Sequence, residues 1–248
     1  MAIVNSILKV VRASRIYGLA KDNKILRAAK NKYDRKQYKK MQENVHIHGL
    51  QSLIFMKEAF AEIGKEFWLD YGTLLGAVRE KDFIEYDKDL DIGTMDFDDS
   101  LKGELVKILD GKGMKLYKQY EMDGKIIEQA FHYKGVHFDI FYYYETEGEP
   151  EKIWCYFCEI GPKMEFENFT DYQLAKGYIT KTAEARFTGL TDYLFKGETF
   201  KVPSNYQEYL IDNYGSSYMQ KIKDWQSGSS PDNIKLVGTG YVNVKEYI

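Results

Sequence analysis

Long apolar runs, cysteine and proline are all scarce in this chain of 248 residues, which contains 2 Cys and 4 Pro. No stretch approaches the roughly 18 uninterrupted apolar residues of a membrane-spanning helix, so an integral membrane protein is not expected. Two cysteines cannot form a disulfide framework and indicate a reducing compartment, and no secretory signal pattern is present. We therefore expect a cytoplasmic protein. The lack of biased tracts excludes wholesale disorder, and a 44% hydrophobic content can supply a sizeable core.

Basic charge is concentrated at the N-terminus. Residues 1–45 contain 12 Lys or Arg against 3 acids, so the other 203 residues must carry -12 to give the overall -3. A helical pattern places six apolar residues of the first turns on one face: Ile3, Val4, Ile7, Leu8, Val10 and Val11. One prediction is a peripheral helix that rests on an anionic inner membrane face. A helix that packs on its own domain, with solvated charges, fits equally, whereas nucleic acid is a weak alternative because the acidic body repels phosphates.

Helical and strand patterns alternate through the rest of the chain and predict an α+β or α/β-like core. Helix is predicted for residues 51–63, 74–78 and 101–109, and strand for residues 67–69, 89–92, 125–131 and 136–144. Turn-prone and charged residues 145–151 predict a boundary. The expected organisation is a basic arm over residues 1–45, a core over 46–145, and a more helical C-terminal lobe over 146–248.

The first chemically informative segment is Asp70-Tyr71-Gly72-Thr73, between a predicted strand and a predicted helix. A glycine and a hydroxyl residue at such a turn let a phosphate approach the backbone, where the helix directs free N–H groups at the anion. Arg79, one turn later, can add a forked guanidinium contact. Taken as a pattern alone, a Gly-Thr turn is more often a plain helix cap.

The second segment is Asp87-Lys88-Asp89-Leu90-Asp91-Ile92. In a strand, Asp89 and Asp91 project from the same face, so their carboxylates repel each other unless a cation lies between them. Hard oxygen ligands of this kind suit Mg²⁺ or Mn²⁺, with substrate phosphates completing the coordination. Asp87 shares this parity and is expected beside the pair. A solvated acidic turn is the simpler alternative.

A third acid, Asp139, lies within the apolar strand pattern Val136-His137-Phe138-Asp139-Ile140-Phe141. Acids are rarely buried without a partner. A metal ion shared with Asp89 and Asp91 would supply that partner. His137 has the same parity as Asp139, and we interpret it as structural before catalytic.

Together these segments resemble the LicD family, which includes bacterial phosphocholine transferases and fukutin-related ribitol-phosphate transferases. The resemblance is carried by residues 68–79 (WLDYGTLLGAVR), 82–84 (DFI) and 87–93 (DKDLDIG), and by Phe195-Lys196-Gly197, Val202-Pro203 and Tyr214-Gly215 later in the chain. It spans residues 51–225. Lys88 stands where the family often has an acid, at a position expected to point away from the metal.

The resemblance implies a nucleotidyltransferase fold, a mixed sheet flanked by helices, and a metal-dependent transferase. A phospho-alcohol such as phosphocholine would pass from a CDP-activated donor to a hydroxyl of a cell-surface glycan precursor, with release of CMP. Asp89, Asp91 and Asp139 would be the catalytic and metal-binding residues, and Gly72, Thr73, Arg79 and Asp87 would bind substrate. Two other functions stay open: transfer of a nucleotide with release of pyrophosphate, and a non-catalytic scaffold on the same fold.

Overall fold

The computed structural model describes residues 24–160, 178–221, 233–238 and 242–247, which form helices and strands in mixed order. The helices are α1 (Lys24–Glu62), α2 (Tyr71–Arg79), α3 (Asp99–Gly111) and α4 (Tyr206–Tyr214). The strands are β1 (Trp68–Leu69), β2 (Asp89–Met95), β3 (Lys115–Met122), β4 (Lys125–Tyr133), β5 (Val136–Thr146), β6 (Glu149–Ile160), β7 (Tyr178–Arg186), β8 (Leu190–Phe195), β9 (Glu198–Pro203), β10 (Ile234–Leu236) and β11 (Val242–Glu246). The predicted α+β class is confirmed.

Nine strands form one mixed sheet, and β8 pairs with β9 in a separate hairpin. The long path through the sheet is β10-β7-β6-β5-β4-β3-β11, while β2 joins its middle by pairing with β5 and carries β1 on its other edge. Of the pairs in the described chain, β2–β5 alone is parallel. Parallel pairing puts the start of β2 beside the start of β5, which brings two separate sequence motifs into register.

The core forms where α1 and α3 cover one face of this sheet. Alternation along the strands decides which side chains take part: Leu90 and Ile92 of β2 and Phe138 and Ile140 of β5 are all buried. Helix α1 adds Val45, Leu53, Met56 and Phe60 at helical spacing, and all four are buried. The residues between the apolar strand positions, including the three predicted aspartates, must therefore face the opposite side of the sheet.

The short strand β1 depends on one close backbone approach. Trp68 pairs directly with Gly93 of β2, and a Cβ at Gly93 would lie 2.4 Å from the indole ring. Glycine at this position lets the ring lie flat over the neighbouring strand. Because α2 follows β1 at once, this packing also fixes where α2 begins.

Two features differ from the sequence-based expectations. The prediction of a more helical C-terminal lobe is wrong for the described residues beyond 146, which contain six strands and one helix, α4. Their alternating Tyr, Thr and charged residues pair as long antiparallel strands rather than forming amphipathic helices. Helix α1 also runs without a break through residue 45, so the basic arm and the core share one helix from Lys24. The apolar face predicted over residues 3–11 lies outside the described residues.

None of the helices in the described part of the chain has the length and hydropathy needed to cross a membrane.

Candidate active site

A cavity of about 480 Å³ opens on the sheet face opposite α1. Six of the seven residues predicted to form the site line it: Gly72, Arg79, Asp87, Asp89, Asp91 and Asp139. These residues come from α2, from the loop before β2, and from β2 and β5. The fold thus brings together, in one cavity, the three segments that the sequence singled out.

The parallel pairing of β2 and β5 sets the arrangement of the carboxylates. Asp91 lies directly opposite Asp139, and Asp89 lies opposite His137 two residues earlier in the register. Neighbouring strands lie about 4.8 Å apart, and paired residues project from the same face of the sheet. Asp91 and Asp139 therefore form a side-by-side pair, with Asp89 next to it on β2.

The first turn of α2 is built around these acids. Asp70 caps the helix by accepting the Tyr71 N–H at 2.8 Å, and the Gly72 N–H donates to Asp91 Oδ2 at 3.2 Å. Thr73 is buried, and its hydroxyl oxygen accepts the Asp91 N–H at 2.8 Å. The N–H groups expected to cradle a phosphate are thus used, at Tyr71 and Gly72, to hold carboxylates, and Thr73 fixes the backbone of β2 instead of lining the cavity.

Gly72 is needed at its position for steric reasons. A Cβ there would lie 2.8 Å from Asp87 Oδ2 and 3.4 Å from Asp91 Oδ2. The residue before it, Tyr71, has a positive φ of 35°, which is costly for a non-glycine residue. Its ring packs edge-on against Phe141 at 5.1 Å between centroids, and its hydroxyl lies 3.4 Å from Cys155 Sγ. These contacts hold the turn in the shape that brings α2 against the carboxylates.

Burial and mutual repulsion strongly raise the pKa values of the acids in the site. Burial, followed by the charge of Asp89, raises the pKa of Asp139 to about 7. Burial and then Asp89 likewise raise the pKa of Asp87 to about 7, although Arg79 opposes the shift. The pKa of Asp91 rises well above its ordinary value because it is buried and lies near four other acids, Asp89, Asp139, Asp87 and Asp70. A cavity of this kind favours any ligand that brings positive charge.

The donor set fits a hard divalent cation that the substrate helps to bind. Within the described residues, no three His, Cys, Asp or Glu side chains converge as a ready-made metal site. Mg²⁺ does not require one, since it commonly binds through one or two carboxylates and takes its other ligands from water and phosphates. Asp91 and Asp139 lie opposite each other on neighbouring strands, and burial followed by the charge of Asp89 raises the pKa of both, so this pair matches that requirement.

Arg79 supplies positive charge at the other end of α2. Its side chain is 6% exposed, and its two terminal nitrogens are held by Tyr218 O at 3.2 Å and Glu80 Oε1 at 3.0 Å. Its buried Nε has no hydrogen-bond partner in the described structure. An unsatisfied buried N–H of a charged group is costly. Arg79 also lines the cavity, so its guanidinium brings positive charge to that wall.

Sequence analysis missed Glu128, which also lines the cavity. It lies on β4 directly opposite Phe141, two positions from the Ala130–Asp139 pair, so it shares the face of Asp139. Burial and then Asp139 raise its pKa well above the ordinary value, while the Cys158 N–H donates to it at 3.2 Å. The sequence pattern that could have identified Glu128 is the one used for Asp139: a single acid that follows apolar strand residues, here Ile126-Ile127-Glu128.

The C-terminal part of the chain forms the remaining wall, with Asn213, Tyr214, Tyr218 and Gln220 lining the cavity. Helix α4 is tied to the site through Tyr209, whose hydroxyl donates to Asp70 Oδ1 at 2.8 Å. Tyr143 of β5 donates to the other oxygen of Asp70 at 2.7 Å. Asp70 therefore joins α2, α4 and β5 behind the cavity.

The sequence matches a family model described as LicD/FKTN/FKRP, nucleotidyltransferase domain, over residues 64–205. Among curated proteins it is 26% identical over 209 residues to ribitol-5-phosphate transferase FKTN of Mus musculus, covering 80% of this chain and 41% of the relative. The FKTN proteins of Macaca fascicularis and Homo sapiens are each 28% identical over 178 residues, covering 71% of this chain and 34% of theirs. The chain thus spans less than half the length of these relatives.

Among solved structures, the chain is similar to ANT(2″)-Ia in complex with adenylyl-2″-tobramycin, at 12% identity and a TM-score of 0.37. The match covers 71% of this chain and 82% of that one.

Proposed function

Because this chain belongs to the LicD/FKTN/FKRP nucleotidyltransferase domain family, we propose that it transfers a phospho-alcohol group from a CDP-activated donor to a hydroxyl of a glycan, with release of CMP. Ribitol phosphate is the first donor group to test, because the relatives from three mammals are named ribitol-5-phosphate transferases. Phosphocholine, which the sequence resemblance suggested, is the second.

One observation carries the proposal: the opposed pair Asp91 and Asp139 lies in the same cavity as Arg79, whose Nε lacks a partner among the described residues. Phosphoryl transfer depends mainly on positioning and on charge neutralisation. Here a cluster of acids that favours a cation faces a buried guanidinium that favours a phosphate. A bound pyrophosphate with its cation would satisfy both.

In the proposed step, an acceptor hydroxyl oxygen attacks the phosphorus that carries the alcohol. A new P–O bond forms, the pyrophosphate bond to CMP breaks, and CMP leaves with that bond's electrons. The hydroxyl proton passes to a carboxylate of the site, for which Asp139 and Glu128 have suitably raised pKa values. Arg79 holds a donor phosphate, and the lack of a Cβ at Gly72 leaves room for the Asp87 carboxylate beside α2.

Asp91 and Asp139 would hold Mg²⁺ or Mn²⁺, with Asp89 next to this pair, and the ion would supply charge neutralisation of the donor pyrophosphate and lower the pKa of the attacking hydroxyl. Asp91 is kept in position for this role by the Gly72 and Thr73 contacts. The positions of Asp89 and Asp139 follow from the strand register.

Thermal melting can test the donor without knowledge of the acceptor. We expect Mg²⁺ together with CDP-ribitol or CDP-choline to stabilise the protein, and neither component alone to do so fully. Ligand at about 100 times its dissociation constant stabilises by roughly 2.7 kcal/mol, a shift of a few degrees for a chain of this size. Asp91→Asn should abolish the Mg²⁺-dependent part of that shift.

Asp98→Asn is the matched control, since Asp98 is exposed, lies outside the cavity and makes no side-chain cap to α3. A shift with CTP alone, followed by release of pyrophosphate, would favour nucleotide transfer. No shift with any CDP-alcohol or with CTP would favour a non-catalytic scaffold.

A further inference from the structure

A bulge in β3 aims an aromatic side chain at the edge of the candidate active site. Leu116 pairs with Phe131 and Lys118 pairs with Ala130, so Tyr117 is an extra residue in the ladder. Bulges of this kind redirect a side chain and are frequent beside active sites. The ring of Tyr117 packs edge-on against His137 of β5, at 5.3 Å between centroids. Without the bulge, the strict alternation of β3 would place Tyr117 on the other face from Lys118.

His132 of β4 extends this group on the other side of His137, with 5.2 Å between the two imidazole centroids. We call Tyr117, His137 and His132 the aromatic platform. All three side chains are half-buried, so part of each ring contacts solvent. The platform follows one cross-strand row of the sheet, since His132 pairs with His137 and His137 pairs with Asp89.

The platform is continuous with the carboxylates. The neighbouring row, two residues further along β5, runs from Asp91 to Asp139 and then to Ala130. A flat molecule on the platform would thus have its edge at Asp89 and Asp139, where the proposed transfer takes place. The platform residues do not line the 480 Å³ cavity itself, so the two regions can be filled at the same time.

The hydrogen-bonding groups of the platform are only partly used. Nε2 of His132 accepts the Gly135 N–H at 3.2 Å. Neither ring nitrogen of His137 takes part in a hydrogen bond within the described residues. The platform therefore offers ring surface together with free imidazole donors and acceptors, which is the chemistry that binds a polyhydroxylated ring. The C–H groups of one sugar face carry partial positive charge and are attracted to the negative face of an aromatic ring.

The charges around the platform disfavour an anionic occupant. Asp89 and Asp139 lie next to it. Of the two neighbouring cations, Lys118 already lies over the Tyr117 ring at 5.1 Å and pairs with Glu246 at 3.9 Å, and Lys88 lies over the Tyr38 ring at 5.4 Å. A phosphate or a carboxylate would approach the acidic cluster at close range, where like charges repel strongly. A neutral ring with several hydroxyls avoids that cost.

We propose that the aromatic platform is the acceptor subsite and that it binds a neutral sugar ring, with one hydroxyl directed at Asp89 and Asp139. This inference rests on the proposed function, because it assigns the acceptor side of the same reaction. It adds that specificity for the acceptor is set by β3, β4 and β5, and that the donor is recognised separately by α2 and the C-terminal wall.

The test is binding of the full chain to a printed array of neutral and acidic mono- and oligosaccharides. We expect wild type to bind neutral glycans, Tyr117→Ala and His137→Ala to lose tenfold or more of that binding, and Tyr117→Phe to keep most of it because the ring is retained. His46→Ala is the matched control, since His46 is an exposed histidine on α1 outside the platform. Melting curves confirm that each variant is folded.

Several outcomes would overturn the inference: no binding of wild type to any glycan, preference for acidic over neutral glycans, or full binding by Tyr117→Ala. The donor melting experiment separates this failure from failure of the proposed function. If wild type binds glycans but its melting temperature does not change with any CDP-alcohol, the transferase is rejected and a glycan-binding site remains. If wild type binds the donor but no glycan, only the assignment of the aromatic platform as acceptor subsite is rejected.

Discussion

At the scale of single residues, Asp70 shows how an acid can be completely buried and still be useful to the fold. Its side chain is inaccessible to solvent, and it accepts hydrogen bonds from the Tyr71 amide and from the hydroxyls of Tyr143 and Tyr209. Burial raises its pKa to about 6, while the three hydrogen bonds oppose the rise. Each bond comes from a different element, so one carboxylate orients α2, β5 and α4 together.

This pKa shift predicts a pH-dependent free energy of unfolding. The folded state binds the Asp70 proton more tightly than the unfolded state does. Well below pH 3.8 the carboxyl is protonated in both states, so its burial does not lower the free energy of unfolding. The cost grows as the pH rises from 3.8 and is complete above about 6. The difference of about two pKa units corresponds to roughly 3 kcal/mol. The free energy of unfolding of Asp70→Asn, taken relative to that of wild type, should therefore increase by up to about that amount between pH 4 and pH 7.5.

Urea unfolding of both proteins across that pH range measures the difference directly. Comparing variant with wild type cancels the contributions of Asp87, Asp139 and Glu128, whereas Asp91 responds to the charge of Asp70 and belongs to the measured difference. Asp192→Asn, at a side chain 68% exposed on β8, serves as control and should follow wild type. Parallel stability curves for wild type and Asp70→Asn would contradict the assignment.

At the scale of elements, the start of α2 and strand β2 form one unit. The Thr73 hydroxyl, the Gly72 amide and the Asp70 amide all bond to Asp91, two of them through its backbone. The first turn of a helix favours negative charge because its N–H groups point outward there. In this protein that preference acts on an internal carboxylate, which holds Asp91 in place before any ligand binds.

Gly72→Ala should distinguish the effect of this glycine on ligand binding from its effect on the stability of α2. Alanine usually stabilises a helix by about 0.5–1 kcal/mol relative to glycine, but here its Cβ would displace Asp87 Oδ2, which lies 2.8 Å away. We expect no gain in melting temperature and loss of the Mg²⁺-dependent shift with the CDP-alcohol. Thermal melting with and without donor measures both quantities.

Gly103→Ala is the control for this substitution, because Gly103 is also helical and a Cβ there meets no atom within 4 Å. It should raise the melting temperature and keep the donor response. A Gly72→Ala protein that responds to donor as wild type does would show that the close approach to Asp87 is not needed for binding.

At the scale of the whole molecule, the sheet is strongly curved, and acidic and basic side chains lie in different regions. The sheet bends so far that strands which do not pair come into contact: Cys158 of β6 donates to Glu128 of β4, and Lys118 of β3 reaches the Tyr178 hydroxyl of β7 at 3.4 Å. Acids collect inside this curve. The N-terminal half of α1 extends from the other side, with exposed cations and the exposed rings of Tyr33 and Tyr38.

The extended half of α1 carries the predicted membrane contact. Five exposed cations lie within nine residues: Lys32, Arg35, Lys36, Lys39 and Lys40. Each is worth about 1 kcal/mol near an anionic lipid surface. Replacing all five with Gln keeps helix propensity and should sharply reduce sedimentation with vesicles that contain phosphatidylserine, while the melting temperature stays unchanged. Vesicles of phosphatidylcholine alone are the control, and equal binding of both proteins to anionic vesicles would reject the membrane interpretation.

Local patterns in the sequence predicted most of the elements around the site. The strand at 89–92, the helix at 101–109 and the strands at 125–131 and 136–144 all exist, extended by two or three residues at some ends. Period-2 alternation also put Asp89, Asp91 and Asp139 on the face away from the core, because one face of each strand had to be buried. The LicD-like motifs located the family through residues that are close together in the chain.

Tertiary structure alone decided which residues meet. That Asp91 opposes Asp139, and that Glu128 joins them, depends on the register between β2, β5 and β4, which no local pattern encodes. The strands beyond residue 146 were misjudged because their mixed polar and aromatic residues acquire a face only when neighbouring strands pair with them. Thr73 and the first amides of α2 were assigned to a ligand because the sequence cannot show that an internal carboxylate reaches them first. The sequence thus determined which side chains are available at the candidate site, and packing decided which of them meet, because contact between distant segments is a property of the whole fold.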